Sequence, residues 1–293
     1  MLSVGDWYAI GAGFFWSFSV ILMRISGYTI PPLPLTFFKS FVAIPGFAAV
    51  LLVHGGPWLP DLDGMTWFRL VVSSILGISI ADTLFVAALN RLGASLQALA
   101  DCIYAPSVAL VGWIMFGEGL SAWELIGGSL VISGVFVGMV KTKEIKHHSD
   151  LLIGTLLAAG SHLIMAIGIL MVRDVIREES LVWVAGFRFL LATAGLVVFA
   201  VIVGKGRSLL MGLQRRDLWK FTVPMALLGP FLATLFWIGG FKYETVGRAA
   251  IYNQLSTVFI ILLAWMILKE HLTHRKVAGV CLAIFGGLIV GLG

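Results

Sequence analysis

Apolar runs of about twenty residues recur along nearly the whole 293-residue chain, separated only by short stretches that hold most of the charge and proline. A bilayer core of about 30 Å needs roughly 20 apolar residues per helix, so such runs read as membrane spans. Hydrocarbon offers no partner for backbone N–H and C=O groups, and a run of this length satisfies its own only as a helix. Composition agrees: 59% of residues are hydrophobic and 12% charged, with mean hydropathy +1.01. Soluble domains run near 45–50% apolar and about 25% charged. The expected class is therefore an all-α integral membrane protein.

The runs fall near residues 5–26, 35–53, 67–89, 94–116, 122–140, 151–172, 182–204, 218–241, 248–268 and 275–292, which predicts ten transmembrane helices. Pro31, Pro32 and Pro34 separate the first two spans, and Pro57 and Pro60 the second from the third. Ser121-Ala122-Trp123-Glu124 has the capping-box pattern that starts the fifth. No Lys or Arg precedes the first run and no small-residue cleavage site follows it, so it reads as a spanning helix and not a signal peptide. The net charge of +5 sits in loops and forms no aromatic-laced stripe, so it reads as a topology signal and not as a nucleic-acid surface. Cys102 and Cys281 lie inside apolar runs as structural thiols. No metal-ligand spacing is present, and neither metal nor cofactor is expected.

The chain also repeats itself. At an offset of 152, Gly77 aligns with Gly229, Trp113 with Trp265, Glu118 with Glu270, Leu120 with Leu272, Gly127 with Gly279 and Gly134 with Gly286. Nearer the start the offset is 149: Gly11 aligns with Gly160, Arg24 with Arg173, Phe38 with Phe187 and Lys39 with Arg188. Residues 1–140 and 151–293 then form two five-helix repeats joined by a linker at 141–150. An odd number of spans per repeat inverts the second repeat in the membrane, an arrangement found in secondary transporters whose site lies near the midplane between the halves.

The segment Phe116-Gly117-Glu118-Gly119-Leu120-Ser121, its echo Leu268-Lys269-Glu270-His271-Leu272-Thr273, the basic residues Lys39 and Arg188, and the five-plus-five layout resemble the EamA-type drug/metabolite transporter superfamily over essentially the whole chain. The resemblance implies an exporter or exchanger of small metabolites, with both termini in the cytoplasm. It fixes no substrate.

Ionisable groups in hydrocarbon are costly and need a partner, water or a role. Four lie well inside the spans: Lys39, Asp82, Asp101 and Arg188. Measured from the side of the loop between spans one and two, here side A, Lys39 lies roughly 6 Å deep and the two aspartates roughly 10 Å, so the three are at depths where they can meet. Lys39 then pairs with one acid, leaving the other to take a proton, a cation or a substrate ammonium. The repeat equivalents of Asp82 and Asp101 are Thr234 and Asn253, so Arg188 is left either to backbone carbonyls or to a substrate carboxylate. Trp16 and His162 fall near the middle of their spans. His162 reads as a packing residue or a proton-coupling group, and Trp16, Trp237, Tyr104 and other aromatics supply faces for packing or for a substrate. Together Trp16, Lys39, Asp82, Asp101, His162, Arg188, Trp237 and Asn253 are the candidate substrate-binding or coupling residues. Glu118 and Glu270 read as structural, each complementing the N-terminus of the helix that follows it. GxxxG spacings at Gly134/Gly138 and Gly287/Gly291 allow close packing within the bundle or between protomers.

Membrane proteases and zincins need motifs that are missing here, so no catalytic residue is assigned. A flippase of a lipid or lipid-linked sugar is the alternative on the same frame, and no ring of like charges marks a channel. The expected partners are a small-molecule substrate and the lipid of a cytoplasmic (inner or plasma) membrane, with the chain a monomer or homodimer. Thirteen Lys and Arg residues lie in side A loops against five on the opposite side, which places side A in the cytoplasm and both termini outside. This is the reverse of what the resemblance implies, and the charge count is followed.

Overall fold

Every regular element among the described residues is a helix. The structure, a computed structural model, describes residues 3–54, 58–117, 121–139, 148–243 and 255–290. Seven helical stretches are long and apolar enough to cross a membrane: Val4–Gly27, Pro32–Val53, Gly64–Leu92, Ala94–Phe116, Ser149–Leu170, Leu181–Ile202 and Arg216–Gly240. The other three expected spans coincide with shorter helices: Ala122–Met139, Leu255–Leu268 and His274–Val290. The chain is thus a multi-pass membrane protein.

The first half contributes α1 (Val4–Gly27), α2 (Pro32–His54), α3 (Gly64–Ser74), α4 (Ala81–Leu92), α5 (Ala94–Asp101), α6 (Tyr104–Phe116) and α7 (Ala122–Met139). The second contributes α8 (His148–Leu170), α9 (Arg173–Glu178), α10 (Leu181–Ile202), α11 (Trp219–Ala226), α12 (Thr234–Tyr243), α13 (Leu255–Leu263) and α14 (His274–Val290). Polar side chains cap two of these helices at their own N-termini. Ser3 and Asp6 form a reciprocal capping box on α1. Asp63 accepts from the amides of Met65 and Thr66 at the start of α3, and the Thr66 hydroxyl, with those amides, holds its carboxyl below the usual range. Pro32 opens α2 at a position whose amide needs no partner. Arg24 in the last turn of α1 donates to the carbonyls of Leu89 and Asn90, closing the C-terminus of α4. Ser121 lies just before α7 as expected; the Glu124 side chain and Glu118 fall outside the described residues.

Besides the π-wound stretch Ala264–Leu268 that follows α13, three departures from plain α-helix shape the interior. Between α3 and α4 the segment Ile75–Ile80 is π-wound, and so is Leu227–Ala233 between α11 and α12. The two begin 152 residues apart. Pro230 lacks the amide that an α-helical turn uses, which accounts for the second. At each, a small residue admits close crossing: Gly77 lies against Gly168 of α8, and Gly229 against Ser19 of α1. Beside them Ser73 Oγ donates to the Gly168 carbonyl and Ser19 Oγ to the Met225 carbonyl. The third departure is the break at Cys102–Ile103. Pro106 deprives the Cys102 carbonyl of its helical donor, so α5 ends and Asp101 sits at the break.

The helices pair across the halves: α1 with α11, α12 and α13; α8 with α4, α5 and α6; α2 with α10; and α7 with α14. In the last pair a Cβ on Gly134 or Gly279 would come within 2.6 Å of the other's carbonyl oxygen, so α7 and α14 touch through backbone. The glycines therefore serve packing within the chain. On α14 the contact stripe is Gly279, Ala283 and Gly286; Gly291 lies outside the described residues.

Candidate functional site

The break after Asp101 and the two π-wound segments face a common space. Residues of α1, α2, α4, α5, α6, α8, α10, α12 and α13, with the two π segments, line one cavity of about 180 Å³. Among the named helices, α7 and α14, packed on each other, and α3, α9 and α11 contribute nothing to it.

Trp16, Lys39, Asp82, Asp101, His162, Arg188 and Trp237 all line this cavity. Asn253, the remaining candidate, lies outside the described residues. Tyr104, Phe85, Phe189 and Thr234 complete much of the wall.

The charges sort into three groups. Lys39 and Asp82 form a direct ion pair, the lysine 2% exposed and the aspartate 7%. The Lys39 ammonium also lies 6.0 Å from the Phe189 ring centre. Asp101 does not join them. Its Oδ1 accepts from Gln97 Nε2 at 2.8 Å and from His162 Nε2 at 2.8 Å. The other ring nitrogen of His162, Nδ1, is buried without a hydrogen-bond partner. The pair lies among rings: Phe85 and Tyr104 have their ring centres 6.2 Å and 6.0 Å from that of His162, and Tyr104 lies 6.3 Å from Trp237.

Arg188 forms the third group. It is 4% exposed, its Nε has no hydrogen-bond partner, and it makes no ion pair among the described residues. One of its terminal nitrogens would lie 3.0 Å from a Cβ placed on Gly77, so the guanidinium rests along the glycine face of the first π segment. The nearby Tyr104 hydroxyl is likewise buried and unpartnered. Thr234, the repeat equivalent of Asp82, turns its hydroxyl to the Gly229 carbonyl at 3.5 Å.

Two sequence readings are corrected. Equal depth brought Lys39 to Asp82 but not to Asp101, because depth along a helix does not fix the direction in which a side chain points; the Asp101 partner comes from α8 in the other half. Glu270, expected to complement its own following helix α14, instead bonds the N-terminus of α5. It accepts from the amides of Ala94 and Ser95 at 2.8 and 2.9 Å and from the Ser95 hydroxyl at 2.5 Å.

Known proteins place this arrangement. A model of the EamA-like transporter family matches residues 3–139 and 152–292. A transporter of Bacillus subtilis (strain 168), YvbV, named as uncharacterized, is 25% identical over 75% of this chain and 70% of its own length. A transporter of Archaeoglobus fulgidus, also named as uncharacterized, is 24% identical over 96% of each chain. One solved crystal structure shares the fold, with TM-score 0.70 and 19% identity over 100% of this chain and 98% of that one.

Proposed function

The chain belongs to the EamA-like transporter family, and from that membership we propose that it is a secondary transporter that carries a small metabolite, such as an amino acid or related compound, by alternating access through the central cavity. The observation that carries this reading is the cavity itself: charged, polar and aromatic side chains from both halves converge on one space inside an apolar bundle. A volume of about 180 Å³ suits a compact solute, since an apolar cavity of about 150 Å³ admits benzene.

The working frame is ten helices in two inverted five-helix repeats, residues 1–140 and 151–293 with a linker at 141–150. Support comes from the two separate matches to the family model and from contacts that interchange under the repeat offsets. Gly77 on Gly168 corresponds to Gly229 on Ser19, and Gly134 on Gly279 to Gly286 on Gly127. Alternating access then rocks one half against the other about these close crossings.

The coupling candidate is the Asp101–His162 pair. Imidazole and carboxyl groups both exchange protons, and this pair joins the two halves of the chain on the wall of the cavity. The other charged or titratable groups on the cavity are Lys39, Asp82, Tyr104 and Arg188. Export or exchange across a cytoplasmic-type membrane is proposed, with both termini outside, from the bias of basic residues toward side A. Cytoplasmic fluorescence from a C-terminal GFP fusion would overturn that orientation.

The transport reading is tested by counterflow of an amino-acid panel in proteoliposomes, with and without a pH gradient. Saturable flux is expected from the wild type and none from Ala105→Trp, which fills the cavity. Equal flux from the two proteins would remove the cavity from the pathway.

A further inference from the structure

We infer that Arg188 and Tyr104 form a binding site for the carboxylate of the transported compound; this rests on the cavity being the transport site and specifies what it recognises. Burying a guanidinium with no partner is unfavourable, because water is lost and nothing replaces it. Lys39, its repeat equivalent, has met that cost with Asp82. Arg188 has no acid of its own: Asp82 acts on it only at longer range while bonded to Lys39, and the aligned position is Thr234, whose hydroxyl is directed to a backbone carbonyl.

The groups around Arg188 define the missing partner. A guanidinium presents parallel N–H donors in a plane, a fork that matches a carboxylate. The Tyr104 hydroxyl, buried and unpartnered on the same wall, can donate one more hydrogen bond to the same group. Gly77 keeps the approach open along one side, since a side chain there would crowd the guanidinium. The rest of the wall is largely aromatic and aliphatic, with Trp16, Trp237 and Phe85 among its rings. The complementary ligand is a small monocarboxylate with a compact apolar or aromatic body, with or without an amino group.

Two matched pairs of probes test this: benzoate with benzamide, and 4-methylvalerate with its amide. Each pair keeps shape and exchanges charge for neutrality. Thermal unfolding of the full chain in nanodiscs should show stabilisation by the carboxylates, with apparent Kd at least about tenfold tighter than for the amides, as expected for a charge-assisted bidentate contact. Arg188→Gln should erase that preference and Arg188→Lys retain part of it. Tyr104→Phe, which keeps the ring, should reduce it a few-fold; it carries the test if Arg188→Gln does not fold.

Equal stabilisation by acid and amide would overturn the carboxylate site while leaving the cavity as a transport site. A preference undiminished in Arg188→Gln would place the anion elsewhere and overturn it as well. No response to any probe, charged or neutral, together with no counterflow of any amino acid, would bring down the transport reading beneath it.

Discussion

Lys39 and Arg188, which align in the sequence at an offset of 149 residues, meet opposite surroundings. Lys39 is closed off by Asp82 in a buried ion pair. Arg188 faces the same cavity and forms no ion pair among the described residues; Asp82, already bonded to Lys39, is the acid within electrostatic range of it. The second acid of the first half repeats the contrast: Asp101 holds His162 of the other half, whereas the aligned positions carry Asn253 and Gly13. Positions that align in the sequence thus carry unlike charge.

The largest effect should come from breaking the closed pair. Lys39→Ala leaves a buried carboxylate alone, and removing one member of such a pair costs about 3–5 kcal/mol. Adding Asp82→Asn to Lys39→Ala should recover most of the loss in thermal unfolding, while Asp101→Asn should not, since Asp101 bonds Gln97 and His162 instead.

A smaller effect should come from making the halves alike. Thr234→Asp gives the second half the acid that the first has at the aligned position. Closing Arg188 in this way should raise the melting temperature by a few degrees and weaken carboxylate binding by at least about tenfold. Unchanged binding would mean that position 234 does not reach the arginine.

The smallest structural effect, with a clear functional one, should follow Asp101→Asn. Asparagine can still accept from Gln97 and His162, so folding should be nearly unchanged. It cannot exchange a proton, so the dependence of flux on pH should flatten. An unaltered pH profile would make the Asp101–His162 pair purely structural.

Much of this was legible in the residues, for stated reasons. Charged side chains within apolar runs had to face the interior, which is why Lys39, Asp82, Asp101, His162 and Arg188 could be picked out before any contact was known. Contacts across the halves were not legible. Nothing local in the sequence shows that His162 turns toward Asp101, or that Glu270 reaches back to Ala94 and Ser95. Backbone departures were half visible. Pro106 marks the break that ends α5 at Asp101, and Pro230 marks one π-wound segment, but Ile75–Ile80 has no proline to announce it.

The opposition between the two basic residues is tested most directly by thermal unfolding of Lys39→Met and Arg188→Met side by side in the same nanodiscs without ligand. Each change removes a buried cation and keeps a long apolar stem. Lys39→Met strands Asp82 and should lower the melting temperature markedly. Arg188→Met removes a buried charge that has no ion pair of its own among the described residues, and should leave the melting temperature unchanged or raise it while abolishing carboxylate binding. A loss of stability in Arg188→Met as large as that in Lys39→Met would show that the arginine holds the fold together, and would contradict the account.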